Sequence, residues 1–270
     1  MDKAIEKYSA CQPRGDTEVC VETQIKEYMK QMTELNCMEN EILIGLIGVF
    51  STCITQIAAQ FLINKREIQG KKKENISRYL EPLNKQILDN LTRLRYNKER
   101  KEKKGENNSI RVINGQIIRS IRDIKGKELK WYYEHGANLA STCYLLACLI
   151  AHSYHVKQHM TLVNFKNSHR RKILGYIEKL QEILNRDYGI YYVIQYDIGQ
   201  MMLCGDEHEG IISYSNFCKM VQHTETYCCF VQLFNFIINV ANDERKEQYD
   251  DLLKLLDEFN AYIETIITVD

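Results

Sequence analysis

The chain's 270 residues are enough for one sizeable domain with added segments. Hydrophobic residues make up 44 % and charged residues 27 %, the ordinary globular range, while 2 prolines and 13 glycines are too few turn-makers for a sandwich or barrel. The net charge of zero is a sum of unlike parts: residues 1–41 hold 5 basic and 9 acidic side chains, residues 64–130 hold 20 and 9, and residues 131–270 hold 11 and 18. A strongly basic middle points to a surface or partner of opposite sign.

The first residues, MDKAIEKYSACQPRGD, contain no apolar h-region, so no cleavable signal peptide is read there. Residues 17–36 place Val19, Val21, Ile25, Met29, Met32 and Leu35 in a weak helix pattern, in a segment too small for a core of its own. Cys11, Cys20 and Cys37 lie around it and would bridge two chains only in an oxidising space.

Residues 42–63, ILIGLIGVFSTCITQIAAQFLI, carry no charge. At about 1.5 Å per residue a helix of this length covers roughly 33 Å, enough for a hydrocarbon core of about 30 Å. Twelve of the 22 are Ile, Leu, Val or Phe. Together they favour insertion by about 4 to 7 kcal/mol, partly offset by Ser51, Thr52, Thr55, Gln56 and Gln60. Glu34, Glu39 and Glu41 precede the run, and Lys65, Arg66, Lys71, Lys72 and Lys73 follow it. That asymmetry predicts a transmembrane helix with the N-terminus outside and the C-terminus in the cytoplasm. The same five cations are read as a lipid-headgroup-binding cluster. Gly48, Ser51, Thr55 and Ala59 lie near one face, where small residues let spans pack closely and self-associate.

Residues 75–96 read as an amphipathic helix with a stripe of Leu83, Ile87, Leu91 and Leu94, and Pro82 is compatible with its first turn. NKERKEKKGENNSI is expected as a charged loop and RVINGQI as a small hairpin about Asn-Gly. LASTCYLLACLIA is apolar all round for 13 residues, which marks a buried core helix continued by HSYHVKQHMTLVNF. Further helices are predicted over 170–186, 190–203, 214–221, 228–241 and 243–266, the last with Leu252, Leu255, Leu256, Phe259 and Ile263 on one stripe. The expectation is an all-α chain. It has a short extracytoplasmic segment over 1–41, a transmembrane helix over 42–63 and a basic juxtamembrane linker over 64–75. A cytoplasmic helical bundle follows over 76–270.

Three short motifs, Tyr79 with Pro82 and Leu83, Ser141 with Thr142 and Tyr144, and Gln195 with Ile198, Gly199 and Met202, resemble a family of uncharacterised bacterial single-span membrane proteins. The resemblance covers residues 78–202. It implies a cytoplasmic helical domain behind an anchor, and no activity. The chain has His152 where the family tends to have a Trp, and Lys157 where it tends to have an Arg.

His152, His155 and His159 fall at i, i+3 and i+7 on one predicted helix, and imidazole is the commonest metal ligand. No Glu lies between them as it does in His-Glu-x-x-His, so polar residues where a buried helix meets solvent are the plainer reading. GDEHEG groups Asp206, Glu207, His208 and Glu209 without the ligand alternation of a calcium loop, which fits a solvated turn better. Cys143, Cys148, Cys204, Cys218, Cys228 and Cys229 form no Cys-x-x-Cys. No nucleotide-binding glycine loop or nucleophile elbow is present. The function expected is sensing or scaffolding by binding at the inner membrane face, with lipid, a second copy of the chain and a protein as partners. No cofactor is expected. The alternatives are an enzyme with a histidine metal site and a nucleic-acid binder that uses the basic 71–104 region.

Overall fold

The computed structural model describes residues 40–104, 112–113, 116–118, 123–124, 126–160, 167–186, 189–204, 210–241 and 246–269, with 23–24 and 26–27 of the N-terminal segment. The expected roles of Cys11, Cys20, Cys37 and the 205–209 loop lie outside these residues. The uncharged run carries no proline, and the chain is helical from Asn40 to Asn75 (α1). The chain divides into two compact units, Met1–Lys65 and Arg66–Asp270.

At Ile76–Leu80 the helix widens to a π-turn, in which the Glu81 N–H donates to the Ile76 carbonyl. Pro82 stands just beyond, in the first turn of α2 (Glu81–Lys104). A proline ring collides with the carbonyl four residues back, and a widened turn relieves that collision. The widening also turns Ile76, Tyr79 and Leu80 inward, in line with Leu83, Ile87, Leu91 and Leu94, all buried. Residues 97–104, expected as a loop, continue α2. Charged residues of high helix propensity extend a helix that packing has already nucleated. The RVINGQI stretch does form a hairpin stem: β1 (Val112–Ile113) pairs antiparallel with β2 (Gln116–Ile117) about the Asn-Gly step.

A short α3 (Leu129–Glu134) leads into α4 (Ala137–His159). By length and apolar make-up α4 could cross a bilayer, but 72 % of its apolar stretch is buried inside the protein. It is the core helix that the sequence predicts. α2, α6 (Tyr192–Met202) and α8 (Thr224–Ala241) pack against it. α5 (Asn167–Arg186) and α2 carry α9 (Lys246–Val269), whose Leu252, Leu256, Phe259 and Ile263 are fully buried. α7 (Tyr214–Gln222) lies on α8, with Phe217 edge-on to Phe230 at 5.2 Å. β3 (Leu203–Cys204) and β4 (Gly210–Ile211) form a second two-residue ladder. The described fold is an all-α bundle with two hairpin stems.

Buried polar side chains tie the helices together. The Asn90 amide donates to the Gln86 and Leu145 carbonyls at 2.8 and 2.9 Å, linking α2 to α4. The Gln195 amide donates to the Gln181 and Ile190 carbonyls at 3.0 and 2.7 Å, joining α6 to α5. The Tyr249 hydroxyl donates to the Leu94 carbonyl at 2.7 Å, holding α9 on α2. Each net contribution is on the order of 1 kcal/mol, but an orphaned partner in the core would cost about 1–3.

Candidate functional site

The C-terminal turns of α4 bring His152, His155 and His159 out of the core. Tyr79, aimed inward by the π-turn, lies across two of them. Its ring is 5.3 Å from that of His155 and 5.6 Å from that of His159, with the second pair stacked at 24°. The His155 and His159 rings are 4.6 Å apart. His155 is buried and the other two are half-buried.

His152 and His155 line a cavity of about 290 Å³ with Ser77, Arg78, Pro82 and Leu203. Burial, followed by the proximity of His155, lowers the His152 pKa from 6.5 to about 4. His152 is therefore a neutral imidazole at physiological pH, able to donate and accept one hydrogen bond. Ser77 donates its hydroxyl to the Glu81 carboxylate at 3.0 Å.

Among the described residues, no three His, Cys, Asp or Glu side chains stand together to hold a metal ion. Helix geometry supplies the reason. His152 and His159 are seven residues apart, roughly 10 Å along the axis. Tyr79 moreover occupies ring faces of His155 and His159. The three histidines share a face, as their spacing predicts, without converging on a point. What they build is an aromatic stack with one uncharged imidazole at a cavity wall.

The predicted lipid-facing residues all lie on α1. Lys65, Arg66, Lys71 and Lys73 are exposed and Lys72 is half-buried. Ser51, Thr55 and Ala59 are exposed at successive four-residue steps, and Gly48 lies one turn before them. Thr55 donates its hydroxyl to the Ser51 carbonyl at 2.7 Å, so its own helix satisfies it. Part of the basic 71–104 region is already neutralised within the fold. Arg95 pairs with Asp257, and Lys98 pairs with Asp250 at 2.6 Å, both across to α9.

Most residues of the short motifs behind the family resemblance pack in the core. Gln195, Ile198, Gly199 and Met202 are buried on α6 where it meets α4, and a Cβ on Gly199 would lie 3.0 Å from Tyr154. Thr142 donates its hydroxyl to the Asn138 carbonyl at 2.7 Å, and Tyr144 donates to the Ile212 carbonyl at 2.8 Å. Two roles escaped the sequence. Tyr79 as the partner of the histidines depends on the π-turn, which Pro82 could have signalled. Asn90 interrupts the apolar stripe beside Leu91 and Leu94, and a polar residue on such a stripe is the available cue. Comparison of the chain with known protein families, with curated proteins and with solved structures finds no match.

Proposed function

We propose that the chain is a single-pass membrane protein that works by binding. Residues 42–63 span the bilayer, the N-terminus is outside and the helical bundle is cytoplasmic. There the bundle acts as a sensor or scaffold. One observation supports the anchor above others. Over residues 51–71 every side chain of α1 except Phe61 is exposed. Ile57 is 61 % exposed, and Ile54, Leu62 and Ile63 are exposed beside it. Covering one such side chain is worth about 1.5–3 kcal/mol, so several large apolar side chains exposed around one uncharged helix favour a membrane or a partner over water. Lipid is the covering phase that also accounts for an uncharged length of about 33 Å ending in Lys65 and Arg66.

The cationic turns from Lys65 to Lys73 then sit at anionic headgroups, each cation near the surface contributing about 1 kcal/mol. The Gly48, Ser51, Thr55 and Ala59 face allows two spans to pack closely and supports a homo-oligomer. Alkaline carbonate washing of membranes tests the anchor. The intact chain stays in the pellet if α1 is a span. Its release into the supernatant overturns the reading.

A further inference from the structure

A second cavity, of about 360 Å³, opens between α2, α4 and the helices that flank them, and its lining is chemically specific. Arg93 and Tyr96 come from one face of α2, Asn138 and Ser141 from the first turns of α4, Tyr133 from α3 and Tyr214 from α7. Arg93 donates to the Asn138 side-chain oxygen at 2.8 Å. That bond fixes the amide, so the Asn138 nitrogen points the other way. There it is buried and has no hydrogen-bond partner among the described residues. A buried N–H donor without an acceptor is costly unless something supplies one.

Arg93 has no carboxylate partner among the described residues. A guanidinium has five donors, and Asn138 accepts from one of them. Ser141 adds a hydroxyl that donates to the Asn138 carbonyl at a long 3.3 Å. Arg93 therefore brings its remaining donors to one end of the cavity. Rings make up the rest: Tyr133 meets Tyr214 edge-on at 5.4 Å, and Tyr96 and Tyr133 are each about half exposed. The Tyr214 hydroxyl is committed to the Tyr132 carbonyl at 2.8 Å, which presents its ring to the cavity wall.

We propose that this cavity binds a small ligand that carries an oxyanion, carboxylate or phosphate, on a planar ring. The oxyanion sits against the Arg93 donors that Asn138 leaves unused, and the ring lies against Tyr96 and Tyr133. Charge-assisted bonds from a guanidinium and face contacts to tyrosine are what such a ligand recruits, and the volume falls within the range of small-molecule sites. The proposal rests on the reading of the chain as a binding protein and is independent of its anchorage.

The test is titration calorimetry on the full chain in detergent. The probes are benzoate and phenyl phosphate, with phenol and inorganic phosphate as controls that lack one half of the ligand each. At least one of the two probes should bind with Kd below about 1 mM and about tenfold more tightly than either control. Arg93→Gln should weaken that probe at least about tenfold without lowering the melting temperature, and Arg95→Gln, whose partner is Asp257, should leave it unchanged. If Arg93→Gln lowers the melting temperature, Ser141→Ala with Tyr133→Ser takes its place, with the same expectation. A preference for benzoate or for phenyl phosphate identifies the oxyanion. The proposal is overturned if neither probe binds, if phenol or inorganic phosphate binds as tightly, or if the well-folded variants bind as the parent does. Carbonate washing reads the anchor and calorimetry reads the cavity, so each can fail alone.

Discussion

A histidine held neutral makes the fold sensitive to acid. His152 titrates near 6.5 when unfolded and near 4 in the folded chain, because burial and then His155 disfavour its charge. Between those values the unfolded state binds more protons, so stability is complete above about pH 6.5 and falls as the pH drops toward 4. At roughly 1.4 kcal/mol per pKa unit, and discounted for partial exposure, the loss is on the order of 2 kcal/mol. His152→Leu should remove that slope from a series of thermal melts, and an unchanged slope would show that the imidazole is not its source. Gly199 makes a second residue-scale case. On an open helix surface Gly→Ala gains about 1 kcal/mol. Here the new methyl would stand 3.0 Å from the Tyr154 Cβ, which moves only with the α4 backbone, and 3.0 Å from Cγ, whose ring packs against Tyr196. Overpacking of about 1–3 kcal/mol then exceeds the propensity gain. Gly199→Ala should lower the melting temperature, and a rise would contradict the close α4–α6 approach.

Elements differ in how much of them the sequence discloses. The stripe of Leu83, Ile87, Leu91 and Leu94 and that of Leu252, Leu256, Phe259 and Ile263 are periodic, and both are buried as the periodicity implies. The end of α2 was not legible, because NKERKEKK reads equally as solvated helix and as loop. The pairing of Lys98 and Arg95 with α9 residues, Asp250 and Asp257, belongs to tertiary structure. Nor could spacing alone reveal that Arg93 meets Asn138, since 45 residues and a hairpin stem separate them. The histidine face was legible as a face, while its failure to converge follows from the seven-residue rise between His152 and His159 and from the Tyr79 ring on two of the imidazoles. For α1 the magnitudes decide a prediction. Apolar side chains favour insertion by about 4 to 7 kcal/mol, the polar Ser51, Thr52, Thr55, Gln56 and Gln60 offset part of that, and one central lysine costs about 2.5–3.5. A single Ile57→Lys should therefore release part of the chain from the carbonate pellet. Ile54→Lys combined with Ile57→Lys, both exposed positions, should release it. Retention of the double variant would mean that residues 42–63 are not what holds the chain.

For the molecule as a whole, the cysteines report on anchorage and orientation together. Cys143, Cys148 and Cys218 are buried thiols, and burial raises the pKa of each, which suppresses the reactive thiolate. Cys53 and Cys228 are exposed on the protein surface, the first on α1 and the second on α8. Protein burial alone would let a polar maleimide reach both. The proposed topology separates them, because Cys53 would sit in hydrocarbon and Cys228 in the cytoplasm. Sealed vesicles of the two orientations, treated with a membrane-impermeant maleimide and digested for mass spectrometry, distinguish the cases. The peptide with Cys228 should be modified in inside-out vesicles and protected in right-side-out ones. The peptide with Cys53 should stay unmodified in both and become reactive once the chain is unfolded in denaturant. Equal labelling of Cys228 in both orientations would refute the orientation. Ready labelling of Cys53 in intact vesicles would place α1 in water, where its exposed isoleucines would need a protein partner instead of lipid.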